Sequence, residues 1–117
     1  MAELNILSDE NSVVVRFVDS QILDESHARS IGLKLLQLAD DVDDKDLIVN
    51  FDNVCFMAST MIGQLVALRN KCHAQQVGLK ICCFKPEVAE AISLMNLDKI
   101  LEVFECEASA KSATQKS

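Results

Sequence analysis

Two short apolar runs constrain the fold of this chain more than any other feature. Leu47–Phe51 is apolar except for Asn50, and Leu79–Phe84, a second run of similar length, is apolar except for Lys80. A strand that is exposed on one face alternates polar and apolar residues, whereas a continuous run is typical of a strand covered on both faces, as in a parallel sheet. The two runs therefore predict the central strands of a sheet that carries helices.

The N-terminal segment predicts a β-hairpin that joins this sheet. Leu4–Leu7 is apolar, the polar residues 8–11 read as a turn, and Ser12–Val18 alternates between two faces. Alternation with a period of two on both sides of a turn is typical of paired antiparallel strands.

Three helices are predicted from apolar residues at helical spacing. Asp24 is a good N-cap for a helix that ends near residue 40, a second helix covers about residues 60–75, and Pro86 suits the first turn of a third. Residues 102–105 resemble an edge strand. The order β-β-α-β-α-β-α-β predicts an α/β fold, in which a hairpin is followed by right-handed βαβαβαβ crossovers and the helices pack on a mixed sheet.

The chain length of 117 residues fits one domain, and half of the residues are hydrophobic, which is enough for a core without a disulfide or metal. We assign residues 1–105 to this domain. Residues 106–117 are rich in Ala, Ser and Lys and have little to bury, so we expect a flexible C-terminal tail, with a single helical turn as the alternative.

The net charge of −7 and the lack of a Lys/Arg cluster argue against a nucleic-acid partner and against binding to an anionic membrane. The N-terminus is acidic where a signal peptide is basic, and no segment approaches the length of a membrane span. We expect a cytoplasmic protein, and a basic protein partner would be electrostatically compatible.

The cysteines are odd in number and show no ligand spacing such as C-x-x-C. We interpret them as reduced thiols that lie mostly in the core, and we expect no metal and no cofactor. The five positions are Cys55, Cys72, Cys82, Cys83 and Cys106.

The loop 52–60 is the strongest candidate for a functional site. Ligands and partners gather at the carboxyl ends of parallel strands, and this loop follows such an end. It is apolar in its middle and presents Ser59 and Thr60 where a helix begins. Because a helix N-terminus stabilises a phosphate, either hydroxyl is suited to carry a phosphoryl group. The alternative is that a hydroxyl at this point only caps the helix.

Catalysis has little support in the sequence. His27 and His73 lack an acid–base constellation, and no G-x-S-x-G, P-loop or dinucleotide fingerprint is present. We therefore expect a binding protein and not an enzyme.

The stretch Leu47–Gly63, which reads LIVNFDNVCFMASTMIG, resembles the signature of STAS domains, named for sulphate transporters and anti-sigma factor antagonists. That signature is a buried strand, a short loop ending in Phe-Met or similar, and Asp-Ser-Ser-Gly-Leu-Gly opening a helix. The element order from about Leu4 to Phe104 also matches, and residues 21–24 resemble the family's stretch before the first helix. The stand-alone length favours the antagonist branch over a transporter tail.

The resemblance implies a bacterial regulator of transcription that is switched by phosphorylation. In the antagonist branch the first Ser of the motif is phosphorylated by an ATP-binding serine kinase that is also the anti-sigma factor, and a PP2C-like phosphatase resets the switch. Ser59 occupies that position, and Thr60 is the second choice. The implied partner-binding residues, with the phosphoacceptor among them, are Asp24, Met57, Ala58, Ser59, Thr60 and Met61.

Three residues depart from the family pattern. Ala58 and Asn50 stand where Asp is common, and Met61 replaces a Gly, which we expect to add bulk to the partner-facing surface. Phe56 and Met57 either contribute contact area or pack the end of the sheet, and we favour packing for Phe56. The departures leave an alternative function, that of a degenerate STAS domain that acts as a scaffold or binds a small ligand without being phosphorylated.

Overall fold

A computed structural model describes residues 4–18, 21–22, 24–42 and 45–114. In this part of the chain, strands and helices alternate after an N-terminal hairpin. The strands are β1 (Leu4–Ser8), β2 (Ser12–Phe17), β3 (Gln21–Ile22), β4 (Asp46–Asn50), β5 (Phe56–Met57), β6 (Leu79–Cys82) and β7 (Val103–Phe104). The α-helices are α1 (Glu25–Asp41), α2 (Ser59–Ala74), α3 (Pro86–Leu94) and α4 (Glu107–Thr114).

The described strands form a main sheet in the order β1-β2-β4-β6-β7 and a small sheet of β3 and β5. Among the described strands the hairpin pair β1–β2 is antiparallel, and the pairs β2–β4, β4–β6, β6–β7 and β3–β5 are parallel. The mixed α/β architecture predicted from the sequence is therefore confirmed, with β4 at the centre of the main sheet. β4 is buried over Leu47–Asn50, as its continuous apolar run predicts.

The main core lies on one face of the sheet, where α1, α2 and α3 pack. Alternate residues of β2 and β4 point into it, among them Val15 and Val49, and so do Leu35 of α1 and Leu65 of α2. Asp24 caps α1, because its carboxylate accepts a hydrogen bond from the backbone N–H of His27 at 3.0 Å. The predicted N-cap and the core-facing stripes of both helices agree with the structure.

The opposite face of the sheet carries α4, which differs from the predicted tail. Ala110 of α4 is fully buried against Val14, Ile48 and Cys82. On this face each of β2, β4 and β6 presents an apolar residue that needs cover, beside polar residues such as Arg16, Asn50 and Lys80. A short Ala-rich helix packs there although its sequence is weakly hydrophobic. Residues 115–117, the end of the predicted flexible tail, lie outside the described residues.

All five cysteines are free thiols, but fewer than predicted lie in the core. Cys72 and Cys82 are buried, Cys55 and Cys83 are partly buried, and Cys106 is exposed. Burial raises the pKa of the Cys72 thiol to about 11, so this thiol stays protonated at neutral pH.

Candidate functional site

The loop after β4 is held by backbone and side-chain hydrogen bonds. The backbone N–H of Phe51 donates to the carbonyl of Cys82 at 3.0 Å. The amide of Asn53 donates to the carbonyl of Val18 at 2.7 Å, and Val54 is fully buried. These contacts tie the loop to β6 and to the residue that follows β2.

The loop then forms β5, which the sequence did not predict. Phe56 and Met57 pair in parallel with Gln21 and Ile22 of β3, and the N–H of Ala58 donates to the carbonyl of Ile22 at 2.8 Å. Each strand is followed at once by a helix, so the pairing places the N-terminal ends of α1 and α2 side by side. Asp24 at the start of α1 and Ser59 at the start of α2 thus belong to one surface, as the predicted site requires.

Ser59 is the first residue of α2 and is exposed to solvent. The N-cap is Ala58, which has no side chain able to accept a hydrogen bond from the helix. Only its backbone carbonyl serves the first turn, accepting from the N–H of Met61 at 2.9 Å. The capping alternative for Ser59 and Thr60 is therefore wrong, since the cap position falls one residue earlier and α2 begins without a side-chain cap.

The remaining predicted site residues differ in how much of each residue is exposed to solvent. Asp24 is exposed, and Met57, Ala58 and Thr60 are partly buried, so each presents some surface beside Ser59. Met61 is 0 % exposed and packs in the main core. The prediction that Met61 adds bulk to the partner-facing surface is wrong, because the third residue of α2 already points toward the sheet.

Phe56 is the largest apolar side chain exposed near Ser59, at 52 %. The preferred interpretation that it packs the end of the sheet is therefore wrong. It borders a groove of about 230 Å³ between β5, α2 and α3, which is also lined by Cys55, Met57, Ile62, Glu87, Val88 and Ala91. The α3 residues of this groove were not predicted, because nothing in their local sequence distinguishes them from an ordinary amphipathic helix.

The electrostatic character of the site follows from its composition. Phe51–Leu68 contains no Lys or Arg, and its only charged residue is Asp52. Arg29 on α1 is already paired with Glu25 at 3.0 Å. The N-terminal end of α2, with its aligned peptide dipoles, is thus the main positive feature that this segment offers to an anion at Ser59.

The described ranges contain no group of three or more His, Cys, Asp or Glu side chains arranged to hold a metal ion. Across the same residues no helix combines the length and the apolar character that a membrane span requires.

Comparison with known proteins identifies the family. Residues 4–110 match the family model of the STAS domain, so the chain belongs to the STAS family. Among curated protein sequences, none matches the chain.

Solved structures with similar folds include several anti-sigma factor antagonists. An anti-sigma-factor antagonist (STAS) domain protein from Planctomyces limnophilus superposes with a TM-score of 0.84 at 19% identity, covering 98% of this chain and 99% of its own. An anti-sigma factor antagonist from Mycobacterium paratuberculosis gives a TM-score of 0.81 at 18% identity, with 99% and 96% coverage. Phosphorylated SpoIIAA from Bacillus gives 0.70 at 17% identity, with 98% and 100% coverage.

Proposed function

We propose that this chain is an anti-sigma factor antagonist whose affinity for a protein partner is switched by phosphorylation of Ser59. The partner is an ATP-binding serine kinase that is also the anti-sigma factor, and a PP2C-like phosphatase removes the phosphate. The chain acts in the bacterial cytoplasm by binding and not by catalysis. Thr60 is the second candidate for the phosphoacceptor.

The observation that carries this proposal is the exposed hydroxyl of Ser59 at the uncapped start of α2. An acceptor hydroxyl must be reachable by the kinase, and its oxygen must not be committed to capping the helix. Once formed, a phosphate at this position is stabilised by the helix N-terminus without a nearby cation. Ser59 also lies at the carboxyl end of the parallel strands, where ligands and partners of such sheets gather.

The surface around Ser59 suits a protein partner. Exposed Phe56 and partly buried Met57 and Ala58 supply apolar contact area, and the groove beside Phe56 can receive an apolar side chain. Asp24 adds an acidic group at the rim, which would favour a basic residue across the interface. The lack of a carboxylate at Ala58 leaves this rim less negative than the family pattern.

Phosphorylation would act by charge and not by a large conformational change. A phosphoserine carries close to two negative charges at neutral pH. Phe51–Leu68 contains no Lys or Arg to neutralise these charges. Binding of the partner would therefore remove water from the phosphate or place it against groups of the partner. A penalty of about 3 kcal/mol lowers affinity by about a hundredfold.

The proposal is tested by kinase assay with the wild-type chain and two matched variants. We expect ATP and the cognate kinase to add one phosphate, located on Ser59 by mass spectrometry. Ser59→Ala should abolish it, whereas Thr60→Ala, which removes the neighbouring hydroxyl, should retain it. Binding to the kinase, measured by calorimetry, should survive Ser59→Ala and weaken by about a hundredfold in Ser59→Asp.

Two outcomes would favour other assignments. Phosphate that persists in Ser59→Ala but is lost in Thr60→Ala would transfer the role to Thr60. A partner that binds wild type and Ser59→Asp equally, with no phosphate added to either, would favour the scaffold function over the switch.

A further inference from the structure

The main sheet has one long open edge. β1 lies at the end of the strand order, pairs only with β2 among the described strands, and is antiparallel to it over Leu4–Ser8. The strand at the opposite edge, β7, has two residues. Ile6 and Leu7 of β1 are 49 % and 55 % exposed, which is high for large apolar side chains on a sheet.

This edge lacks the features that usually prevent strands from pairing between molecules. Edge strands are commonly blunted by Lys, Pro, inward-pointing charges or bulges. Leu4–Ser8 reads LNILS and contains none of these residues, and its pairing with β2 runs without a bulge. Among the described residues no other strand pairs with its outer side, although the side chain of Lys45 reaches its end, where Nζ donates to Oγ of Ser8 at 2.9 Å.

The register of the hairpin identifies the backbone groups on the outer side of β1. The N–H of Asp9 donates to the carbonyl of Ser12 at 2.9 Å, so this pair is hydrogen-bonded within the hairpin. In an antiparallel ladder, hydrogen-bonded and non-hydrogen-bonded pairs alternate. The N–H and C=O groups of Leu4, Ile6 and Ser8 consequently point away from β2, toward the open edge.

These outward groups are complementary to those of a second copy. If two β1 strands pair antiparallel with Ile6 opposite the partner's Ile6, then Leu4 lies opposite the partner's Ser8. Each of these residues then exchanges backbone hydrogen bonds with its counterpart, and none is left unpaired between Leu4 and Ser8. The two-fold axis would run through the Ile6 pair, perpendicular to the sheet.

The flank of α1 above this edge is also self-complementary. A groove of about 300 Å³ runs between the strand and the helix, lined by Leu4, Ile6, Lys34, Gln37, Leu38 and Asp41. The same two-fold axis makes the two α1 helices antiparallel, which brings Lys34 of one copy, in addition to its contact within its own chain, near Asp41 of the other. Apolar Ile6 and Leu38 would be covered between them.

We propose that the chain forms a homodimer through β1, joining two five-stranded sheets into one continuous sheet. The interface combines backbone pairing about Ile6 with the paired charges of α1. It shares no residue with the Ser59 surface, so a dimer leaves both phosphorylation sites accessible. The inference is independent of the proposed switch.

The test is the oligomeric state of the full chain by analytical ultracentrifugation. We expect a concentration-dependent dimer for the wild type and a monomer for Ile6→Lys, which places two like charges on the two-fold axis. Leu94→Lys is the matched control, because Leu94 is 78 % exposed on α3, far in sequence from the edge, and should remain dimeric. Circular dichroism of Ile6→Lys should match the wild type.

Exchanging the charges of Lys34 and Asp41 tests whether the dimer forms through this interface and not through another surface. Lys34→Asp and Asp41→Lys should each raise the dimer dissociation constant about tenfold, and the double variant should recover most of the loss. A wild type that sediments as a monomer at the highest attainable concentration would overturn the proposal. A dimer that persists in Ile6→Lys would also overturn it.

Discussion

Asn50 shows how one residue at the end of β4 connects the site loop to α4. It is buried, its amide nitrogen donates to Oε1 of Glu107 at 2.8 Å, and its Oδ1 accepts from the backbone N–H of Asp52 at 2.7 Å. A carboxylate could accept from Asp52 but could not donate to Glu107. The Asn in place of the family's common Asp is therefore explained by the acidic residue opposite it.

Glu107 stays ionised within this cluster. Burial opposes its ionisation, but hydrogen bonds from Asn50 and Arg16 and the charge of Arg16 outweigh burial and hold the pKa of Glu107 below its usual range. Arg16 donates to both carboxylate oxygens, from Nε to Oε1 at 3.1 Å and from Nη2 to Oε2 at 3.0 Å. The geometry is the bidentate one that makes Arg–carboxylate pairs strong.

We predict that the substitution Asn50→Asp destabilises the folded chain. The change replaces a hydrogen bond with two facing carboxylates, so the free energy of unfolding should fall by about 2 kcal/mol. Urea denaturation measures it. Asn70→Asp, the same change at an exposed site, should shift stability by less than about 0.5 kcal/mol.

A second substitution checks the stated cause. Glu107→Gln in the Asn50→Asp background restores a donor opposite the carboxylate and should recover more than half of the loss. An Asn50→Asp variant as stable as the wild type would show that the contact with Glu107 contributes nothing.

Among the elements, α4 is the one whose packing is hardest to predict from its sequence. Its eight residues are too few to be a stable helix alone, and it forms because its inner face covers the sheet. Ala110 is fully buried there, whereas Ala108 on the same helix is exposed. Among the described elements it is α4 that covers the face of the sheet opposite the main core.

The difference in exposure between Ala110 and Ala108 allows a matched pair of substitutions. Ala110→Glu buries a charge against Val14 and Ile48 and should lower the free energy of unfolding by about 3 kcal/mol or detach α4. Ala108→Glu makes the same chemical change in solvent and should have little effect. Thermal unfolding and amide exchange of α4 distinguish the two, and equal behaviour of the variants would contradict the packing described for this helix.

At the scale of the whole molecule, a small charge network joins the hairpin turn to α4. Lys111 of α4 contacts Asp9 in the turn at 3.5 Å and Glu107 at 3.8 Å. Backbone N–H groups of Asn11 and Ser12 donate to Asp9 and lower its pKa from 3.8 to about 2. Both ends of the network therefore depend on ionised carboxylates.

The network predicts how stability depends on pH. Because the pKa values of Asp9 and Glu107 are lower in the folded state, the unfolded state binds more protons as the pH falls. The stabilisation from Asp9 is complete above its unfolded pKa of 3.8 and is lost as the pH falls toward about 2. Thermal unfolding should therefore move to lower temperature as the pH falls from about 4 toward about 2.

Asp9→Asn provides the control for this dependence. It removes one of the titrating groups, so the variant should start less stable at neutral pH and lose less stability on acidification. A variant whose stability falls with pH as steeply as that of the wild type would assign the acid sensitivity to other groups.

The α/β architecture, the central strands and the N-cap of α1 could be predicted from the amino-acid sequence alone. These features depend on local patterns, since continuous apolar runs and helical spacing reflect burial within a single element. The start of α2 was predicted to within one residue, but that residue decides whether Ser59 caps the helix or stands free at its first turn.

Tertiary contacts determine which apolar residues of the site are exposed and which element covers the face of the sheet opposite α1, α2 and α3. Phe56 lies exposed on β5, which forms by pairing with β3, a contact between segments distant in sequence that no local pattern encodes. Likewise, the position of α4 depends on its packing against Val14, Ile48 and Cys82, which lie on three separate strands. Burial of this kind is a property of assembled elements, so it cannot be read from any one of them.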